Sequence, residues 1–515
     1  MPKDTPIEMR SSYKSKAWQG MIKAWKITSD LWAGALSLRD KGSSYLLKFP
    51  KEDDAAYQER KEWRSVFYDG FKRTITGFAG LTFDENPSPQ KAPQPILDLF
   101  SDIDLCGNDF YTFLLTSFEK YLRDGNGFFL ATAPHLTEYQ QTALEQKGSL
   151  SIADRLNDRP YGIFFTASQC INHFYDEIDG RNELSQITIE EKCLERVSPF
   201  SFGEKEVIKH RIYRRGSLEI RTFQSTEDLD NDNFTSDFFE LGYDDIMIVP
   251  IADIGTEPPF LSIALSNIEH YNTKSDFANW NHRRNVPHPV FVFDTKEDAD
   301  KFNETLKTVS PNMMIGIWGQ YAKAYYLEVS GAGAEITQKY IKELHEDMSR
   351  LGLEKLQPTA PSSSRKTATE INSDNIQSHS ELITLVRKFE NAVERFIYNL
   401  GVVYNDIKPN TVKLEEVEPN KIKLNINYKK LAFPLQSLDI IRSLTTDGVL
   451  SIETLVEMLP TMLEALPENW SKELEMKRLK EQKAELVAME EKKTKLLDDG
   501  KVEKPKVDDE LGSEK

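Results

Sequence analysis

Basic and imidazole side chains cluster between Asp276 and Asp294 in a pattern that could serve metal-dependent chemistry. His282 and His288 flank the run 283–285 (RRN), and the two aspartates are the nearest carboxylates considered as partners. Imidazoles and carboxylates are common ligands of a catalytic divalent metal, so the cluster is suggestive of a nuclease. No acidic pair at fixed spacing accompanies the histidines, however. The simpler interpretation is a helix end whose basic residues interact favourably with the C-terminal dipole.

Two other patterns match ligand sites only in part. Residues 228–232 (DLDND) start like a calcium-binding loop, but its sixth position would be Asn233 instead of glycine and its twelfth would be Phe239. Cys170 and His173 are three residues apart, with no second pair beside them. We expect a solvated acidic loop in the first case and a buried thiol in the second.

Glycine-rich motifs that hold phosphates are missing from the sequence. It has no Gly-Lys-Ser/Thr phosphate loop, no G-x-G-x-x-G motif after a strand and no G-x-S-x-G elbow. Residues 331–333 (GAG) precede a helix that could hold a phosphate at its N-terminus, but they lack a lysine, so a hinge is the better interpretation. The sequence therefore predicts no catalytic residues, no metal and no cofactor.

Composition and charge exclude several classes of protein. The chain has 515 residues, 39% of them hydrophobic, and its 65 basic and 83 acidic residues give a formal net charge of −18. The mean hydropathy is −0.52; no apolar stretch of about 18 residues and no apolar signal segment occurs, which argues against a membrane or secreted protein. Three cysteines fit a reducing cytosol better than a disulfide framework. A chain this acidic is not attracted to nucleic acid as a whole.

Hydrophobic periodicity predicts helices and then an antiparallel meander in the first half of the chain. The turn signals Asp179-Gly180 and Arg215-Gly216 separate the meander strands. The acidic run 227–237 is expected to be a mobile loop. The expected elements are helices at 52–67, 71–81 and 107–123, a strand at 128–131, meander strands at 163–165, 187–189, 207–213 and 218–223, and a strand at 246–251.

The second half is predicted to be mainly helical, with a small α/β insert and a hairpin. Leu261, Leu265, Ile268 and Tyr271 mark one face of its first helix. A stripe on the next long helix comprises Ile336, Tyr340, Leu344, Met348 and Leu351. The expected elements are helices at 258–284, 334–351 and 367–400, an insert with strands at 289–293, 313–317 and 324–329 and a helix at 296–308, a hairpin at 412–417 and 421–428, and helices at 435–444, 452–463 and 471–497.

This order of elements, together with a set of short motifs, resembles the portal protein of tailed bacteriophages, in one subgroup from phages and prophages. The resemblance covers about residues 45–405. The motifs are residues 57–60 (YQER) with 73–81 (RTITGFAGL), 121–127 (YLRDGNG), 258–261 (PPFL) with 267–271 (NIEHY) and 275–276 (SD), 286–290 (VPHPV), 331–333 (GAG) and 367–370 (TATE).

The resemblance implies an α+β, predominantly helical subunit with wing, stem, clip and crown that assembles into a ring. Its parts would be a wing at 1–257, a stem helix at 258–284, a clip at 285–330, a second stem helix at 331–351, a tunnel loop at 352–366, a channel-side helix and wing hairpin at 367–434, crown helices at 435–497 and a disordered tail at 498–515.

The function implied by the resemblance is that of a DNA channel. A ring, usually of twelve subunits, would occupy one capsid vertex and serve genome packaging, ejection and tail attachment. Its partners would be the terminase, a head–tail adaptor, the major capsid protein and double-stranded DNA passing through without sequence specificity. The protein would be in the virion, and in the host cytoplasm during assembly, without a membrane or enzymatic role. Fixed cations in the channel wall would bind the phosphates and hold the DNA in place. An acidic lumen with few cations therefore suits DNA that must slide.

Two groups of residues are candidates for these contacts. The clip carries Trp318, Tyr321 and Tyr325, which are residue types favoured at interfaces, although they could instead form the small core of the insert or a ring contact. The tunnel-loop cations most suited to meet phosphate are Lys355, Arg365 and Lys366, with pairing to Glu354 and Glu370 as the alternative.

Two other functions stay open at the level of sequence. A metal-dependent nuclease or hydrolase would use the region of His282 and His288. A monomeric cytosolic scaffold would have neither the ring nor the chemistry.

Overall fold

The fold is mixed α and β, as the sequence predicts. The computed structural model describes residues 6–50, 52–84, 87, 92–134, 159–178, 180–198, 200–284, 288–293, 295–305, 315–318, 324–327, 332–352, 368–417 and 477–478. The chain divides into two compact units, Met1–Ile426 and Asn427–Lys515, and the elements below belong to the first. Among the described residues, no helix combines the length and the apolar character needed to cross a membrane.

Helices occur along the whole of this first unit. In chain order they are α1 (Lys16–Ala33), α2 (Ala35–Asp40), α3 (Asp54–Trp63), α4 (Gly70–Thr82), α5 (Gln94–Leu97), α6 (Phe110–Asp124), α7 (Thr226–Asp230), α8 (Leu261–Arg284), α9 (Lys296–Thr305), α10 (Ala332–Leu351), α11 (Ala368–Ile407) and α12 (Leu414–Val417).

The strands form sheets in two stretches of the chain. They are β1 (Gly127–Thr132), β2 (Tyr161–Thr166), β3 (Cys170–Ile178), β4 (Arg181–Arg196), β5 (Glu204–Arg214), β6 (Ser217–Phe223), β7 (Thr235–Glu240), β8 (Ile248–Pro250), β9 (His288–Phe293), β10 (Ile315–Trp318) and β11 (Ala324–Leu327).

The turn from α6 into β1 requires glycine. Gly125 ends α6 with φ at +79°, and its amide donates to the Tyr121 carbonyl at 2.8 Å. A Cβ at this position would lie 2.7 Å from the carbonyl oxygen of Glu257. The left-handed backbone and the close approach both exclude a side chain, so this glycine directs the chain from helix to sheet.

β1 is the central strand of the sheet β2-β1-β8 and is antiparallel to both neighbours. All its residues are buried, because α11 packs across it. The Phe129 ring lies 5.5 Å from that of Phe389 and 5.1 Å from that of Phe396. The assignment of 163–165 to the meander is therefore wrong: this segment pairs with β1, and its neighbour Gly162 leaves room for the Phe396 ring, which would lie 2.5 Å from a Cβ.

The predicted meander is an antiparallel sheet in the order β3-β4-β5-β6-β7. Gly180 and Gly216 form its predicted turns with φ at +77° and +67°. This sheet and the first sheet share one core. Its buried members are Phe128, Leu130, Phe165, Cys170, Ile187, Ile189, Tyr213, Leu218 and Ile248.

The acidic run 227–237 has regular structure, so the prediction of a mobile loop is wrong. The Ser225 hydroxyl accepts from the Asp228 amide at 3.1 Å and starts α7. β7 then pairs along β6. The Phe234 ring packs 5.6 Å from that of Phe223, and this apolar contact anchors a segment whose charges alone predict solvation.

The end of one helix and the type of one later element also differ from the prediction. α3 ends at Trp63, before the predicted 67, since the Val66 amide donates to the Ser275 hydroxyl at 3.0 Å instead of continuing a helix. The strand predicted at 412–417 is wrong, because this segment contains α12. The Asn405 side chain accepts from the Val412 amide at 2.9 Å and donates to its carbonyl at 2.7 Å, which closes a turn there. The second hairpin strand, the later helices and the tail lie outside the described residues.

The α/β insert has the predicted elements. Its sheet has the order β10-β9-β11, in which β9 is parallel to β10 and antiparallel to β11. α9 connects β9 to β10, as a parallel pair requires a crossover connection.

Candidate functional site: a helix pair that carries the insert

α8 is attached to the body by buried polar side chains. The Asn267 carbonyl oxygen accepts from the amides of Gly70 and Phe71 at 3.1 and 3.0 Å, and its amide group donates to the Tyr68 carbonyl at 2.8 Å. Asp69 precedes α4 but makes no capping hydrogen bond. Asn267 therefore satisfies the N-terminus of α4 from a different helix.

One turn further along α8, two more side chains bond to backbone groups. Asn272 donates to the Tyr45 carbonyl at 2.7 Å and accepts from the Leu47 amide at 3.0 Å. Ser275 accepts from Val66, as described above. This side of α8 thus supplies hydrogen bonds to the extended segments before α3 and α4, which would otherwise be left with unpaired backbone groups.

Arg60 joins α3 to α8 through a fully buried guanidinium group. It bonds Glu52 at 2.9 Å and Asp276 at 2.9 Å, donates to the Leu47 carbonyl at 2.6 Å, and lies 4.2 Å over the Phe49 ring. Asp276, the carboxylate that the nuclease alternative considered, is therefore the partner of a buried cation. The ion pairs compensate the burial of the charge.

α8 and α10 run antiparallel. The Tyr340 hydroxyl donates to Glu269 at 3.4 Å, and the rings of His270 and His345 stack with their centroids 4.5 Å apart and 9° between the planes. Three residues before His270, Asn267 shares a neighbour with Met348, which follows His345 by three residues: a Cβ on Gly70 would lie 3.3 Å from both the Asn267 Oδ1 and the Met348 Sδ. Together with the stacked histidines, this contact shows that residue numbers fall along α10 as they rise along α8. A third ring, that of Tyr68, lies 4.2 Å from His345.

The insert lies at the far end of this helix pair. Arg284, the last residue of α8, is 14 residues after His270, and Ala332, the first of α10, is 13 residues before His345. At 1.5 Å per residue both helices extend about 20 Å beyond the stacked histidines. The chain between these two ends is the insert with β9, β10 and β11. The body contacts α8 at least as far as Asp276, which pairs with Arg60, so the insert lies at the far end of the two helices beyond that contact.

The buried faces of the pair differ from the predicted ones. On α8, Leu265 is half exposed, whereas Asn267, His270 and Asn279 are buried. Tyr271 of the predicted face is buried. On α10, Leu344 and Met348 of the predicted stripe are buried, but Ile336 is 70% exposed and Ile341 is buried as well. The prediction is wrong for Leu265 and Ile336 because it placed apolar residues inside by default. The recurrence of Asn, His and Ser at helical spacing on α8 is the sequence signal that could have indicated a polar contact face.

The predicted clip residues lie on different strands. Trp318 pairs with Phe293 across β10 and β9, and Tyr325 pairs with Val290 across β11 and β9. Directly paired residues share a face, and residues three apart in a strand lie on opposite faces. The register therefore places Trp318 and Tyr325 on opposite faces of the sheet. Tyr321 lies outside the described residues.

The predicted loop cations Lys355, Arg365 and Lys366 also lie outside the described residues. The described chain ends at Gly352 and resumes with α11. Gly352 packs tightly, since a Cβ would come within 2.8 Å of the Thr74 hydroxyl oxygen. The start and end of the predicted tunnel loop are thus at the C-terminus of α10 and the N-terminus of α11.

The remaining candidate ligands are not brought together. His282 is exposed on α8 and His288 begins β9, while Asp294 lies outside the described residues. Cys170 is buried as predicted, and burial raises the pKa of its thiol to about 12. Within the described ranges, no group of three or more His, Cys, Asp or Glu residues could hold a metal ion.

A cavity of about 470 Å³ with a mixed polar and apolar lining lies where α4, α8, α10 and α11 meet. Phe78, Phe260, Leu351 and Leu382 contribute to its lining. It lies at the base of the helix pair, beside the residues at which the chain leaves α10.

Comparison with known proteins gives a family match and structural likenesses. Residues 259–399, from the start of α8 to near the end of α11, match the family described as Domain of unknown function (DUF4055). No curated protein matches the chain. Among solved structures, a chain from the "Virion of native gene transfer agent (GTA) particle" is similar, with 10% sequence identity and a TM-score of 0.33, over 82% of this chain and 97% of that chain.

Proposed function

We propose that this chain is the subunit of a phage portal, a ring that forms the DNA channel at one vertex of the capsid. The observation that carries the proposal is the antiparallel pair of α8 and α10, which is attached to the α/β body along α8 as far as Asp276 and bears the β9–β11 sheet about 20 Å beyond its stacked histidines. A wing, a stem and a clip would follow one another in this order. The long helix α11 then returns to the body, where Phe389 and Phe396 pack on β1.

Ring assembly requires one repeated contact between two different faces of the subunit. The helix pair presents two exposed apolar side chains that suit such a contact, Leu265 on α8 and Ile336 on α10. The stem of one subunit would pack on that of the next.

The charge of the chain suits passage of DNA better than binding. At a net charge of −18, a ring repels the phosphate backbone except where cations are concentrated. Lys355, Arg365 and Lys366 would form bands of positive charge in the lumen. The terminase and later the head–tail adaptor would bind the clip, the capsid protein would surround the ring, and the protein would have no enzymatic activity.

The mass of the purified full-length chain tests the proposal. Twelve copies of 59.2 kDa give about 710 kDa, and we expect mass photometry and negative-stain images to show rings with a central channel. Leu265→Glu with Ile336→Glu should reduce the ring fraction without unfolding the subunit, while Glu335→Lys, an exposed change on the same helix, should not. Monomers at every concentration, and no rings in particles, would contradict the proposal.

A further inference from the structure

Of the stacked histidines of the helix pair, His270 is buried and His345 is partly buried. His270 is only 1% exposed. Neither of its ring nitrogens, nor Nε2 of His345, has a hydrogen-bond partner among the described residues. The Tyr68 ring covers both imidazoles, at 5.7 Å from His270 and 4.2 Å from His345. Ring packing therefore holds the two histidines against each other. Because burying a charge without a partner costs free energy, this packing favours neutral rings.

The surroundings offer no compensation for positive charge on either ring. Within the described part of the chain no carboxylate forms an ion pair with His270 or His345, and the nearest charge that acts on both is the cation Lys274. The other charged groups on the packed elements are engaged elsewhere. They are Glu269 with Tyr340, Lys342 with Glu346, Arg350 with Asp347, Arg73 over the Tyr68 ring, and Asp30 with Tyr45 and Lys41. Asp69 is the exception, since its buried Oδ1 has no hydrogen-bond partner in the described ranges; it lies near Lys72 and Arg73, and burial raises its pKa.

The geometry favours a switch over a metal site. The lone pairs of an imidazole lie in the ring plane, and two nearly parallel rings stacked face to face do not direct them to a common point. Two imidazolium groups 4.5 Å apart would instead repel each other, and the burial of His270 weakens the screening of that repulsion by water.

We propose that His270 and His345 form an acid-sensitive latch, which holds α8 and α10 together while both rings are neutral and releases them when either ring is protonated. Because the insert stands about 20 Å from the latch on these two helices, a change in their packing alters its position relative to the body. The latch does not depend on the proposed portal function.

The direction of the pH dependence follows from linkage. Burial, then His345, then Lys274 lower the pKa of His270 from 6.5 to about 4, and burial and Lys274 also lower the pKa of His345. The opened state binds protons more readily than the closed state. The stabilisation is therefore complete above about pH 6.5 and is lost as the pH falls towards 4. At pH 5.0, His270 alone should favour opening about 10- to 30-fold relative to pH 7.5.

Hydrogen–deuterium exchange of the full chain at pH 7.5 and 5.0, corrected for intrinsic exchange rates, tests the latch. We expect peptides of α10 to open roughly 10- to 30-fold more at pH 5.0 in the wild type. The same rise is expected in His282→Gln, which changes an exposed histidine of α8. The double variant His270→Phe/His345→Phe should show a rise below about twofold. A flat wild type, or an equal rise in the double variant, would overturn the proposal.

A second variant decides the matter if circular dichroism shows the double variant to be unfolded. His345→Gln keeps a polar side chain and removes one titrating group. It should reduce the acid-induced opening at least about threefold, since His270 loses the repulsion from a charged partner. An opening as large as in the wild type would overturn the latch.

Discussion

At the scale of single residues, Arg60 illustrates how a buried charge can hold a helix in place. Its guanidinium group is completely buried, and its partner Glu52 is only 4% exposed. Such pairs contribute little net stability compared with an apolar substitute, but removing one partner leaves the other charge buried and unpaired. The ion pair with Asp276 therefore fixes where α8 lies against α3.

Arg60→Met should lower the free energy of unfolding by about 3–5 kcal/mol, because Glu52 loses its compensating charge. Chemical denaturation of the purified chain measures this. The matched control is Arg64→Met on the same segment, whose partner Glu59 is more than half exposed, and we expect a loss of at most about 1 kcal/mol. Adding Glu52→Gln to Arg60→Met should recover part of the loss. Equal losses for the two arginine variants would contradict this interpretation.

At the scale of elements, the turn between α6 and β1 requires a glycine, Gly125, for two independent reasons, the left-handed backbone and the close approach of another backbone segment. Gly125→Ala should destabilise the chain by about 3 kcal/mol or more, through the left-handed backbone and the contact with the Glu257 carbonyl. Gly107 provides the control, since its φ is +88° and a Cβ there would meet nothing within 4 Å. Gly107→Ala should cost only about 1 kcal/mol. Denaturant midpoints compare the two, and a similar loss in both would show that the close approach has no effect.

The insert requires two separate tests, because Trp318 and Tyr325 belong to opposite faces of its sheet. If the insert is a partner-binding clip, Trp318→Glu or Tyr325→Glu should weaken terminase or adaptor binding at least about tenfold while rings still form. Glu304→Lys, on the exposed surface of α9, is the control. Biolayer interferometry measures binding. Unchanged binding in both variants would place the contact elsewhere, and loss of the insert structure would assign these side chains to its core.

At the scale of the whole molecule, a ring would turn a few cations in an acidic subunit into bands of charge around the DNA. The variant with Lys355, Arg365 and Lys366 all changed to Ala should assemble normally but alter the amount or retention of packaged DNA, since bound phosphates oppose backward slippage. Quantification of DNA per particle and of its retention over time measures this. Wild-type values for content, packaging rate and retention would show that these cations contact DNA in no step that matters.

The helices and their order could be predicted from the sequence because their signals are local. Periodic apolar residues located α4, α6, α8 and α11, and the glycine turns located the meander hairpins. Local signals also indicated the short insert between two long helices. Some failures concern partners distant in sequence, such as β2, which pairs with β1 instead of the meander. The strand predicted at 412–417 failed for a local reason, the turn that Asn405 closes.

What the sequence by itself determined is therefore the succession of elements, the acidity of the chain and the position of the insert between α8 and α10. Only the tertiary structure decided which polar side chains are buried. Asn267 and Arg60 are hydrophilic residues whose burial is compensated by the backbone of a distant segment and by two carboxylates, respectively. His270 is buried against a second imidazole. Hydrophobic periodicity reflects whether each residue prefers water or an apolar environment. The contacts of these buried polar residues depend instead on which groups the fold brings within 3 to 5 Å.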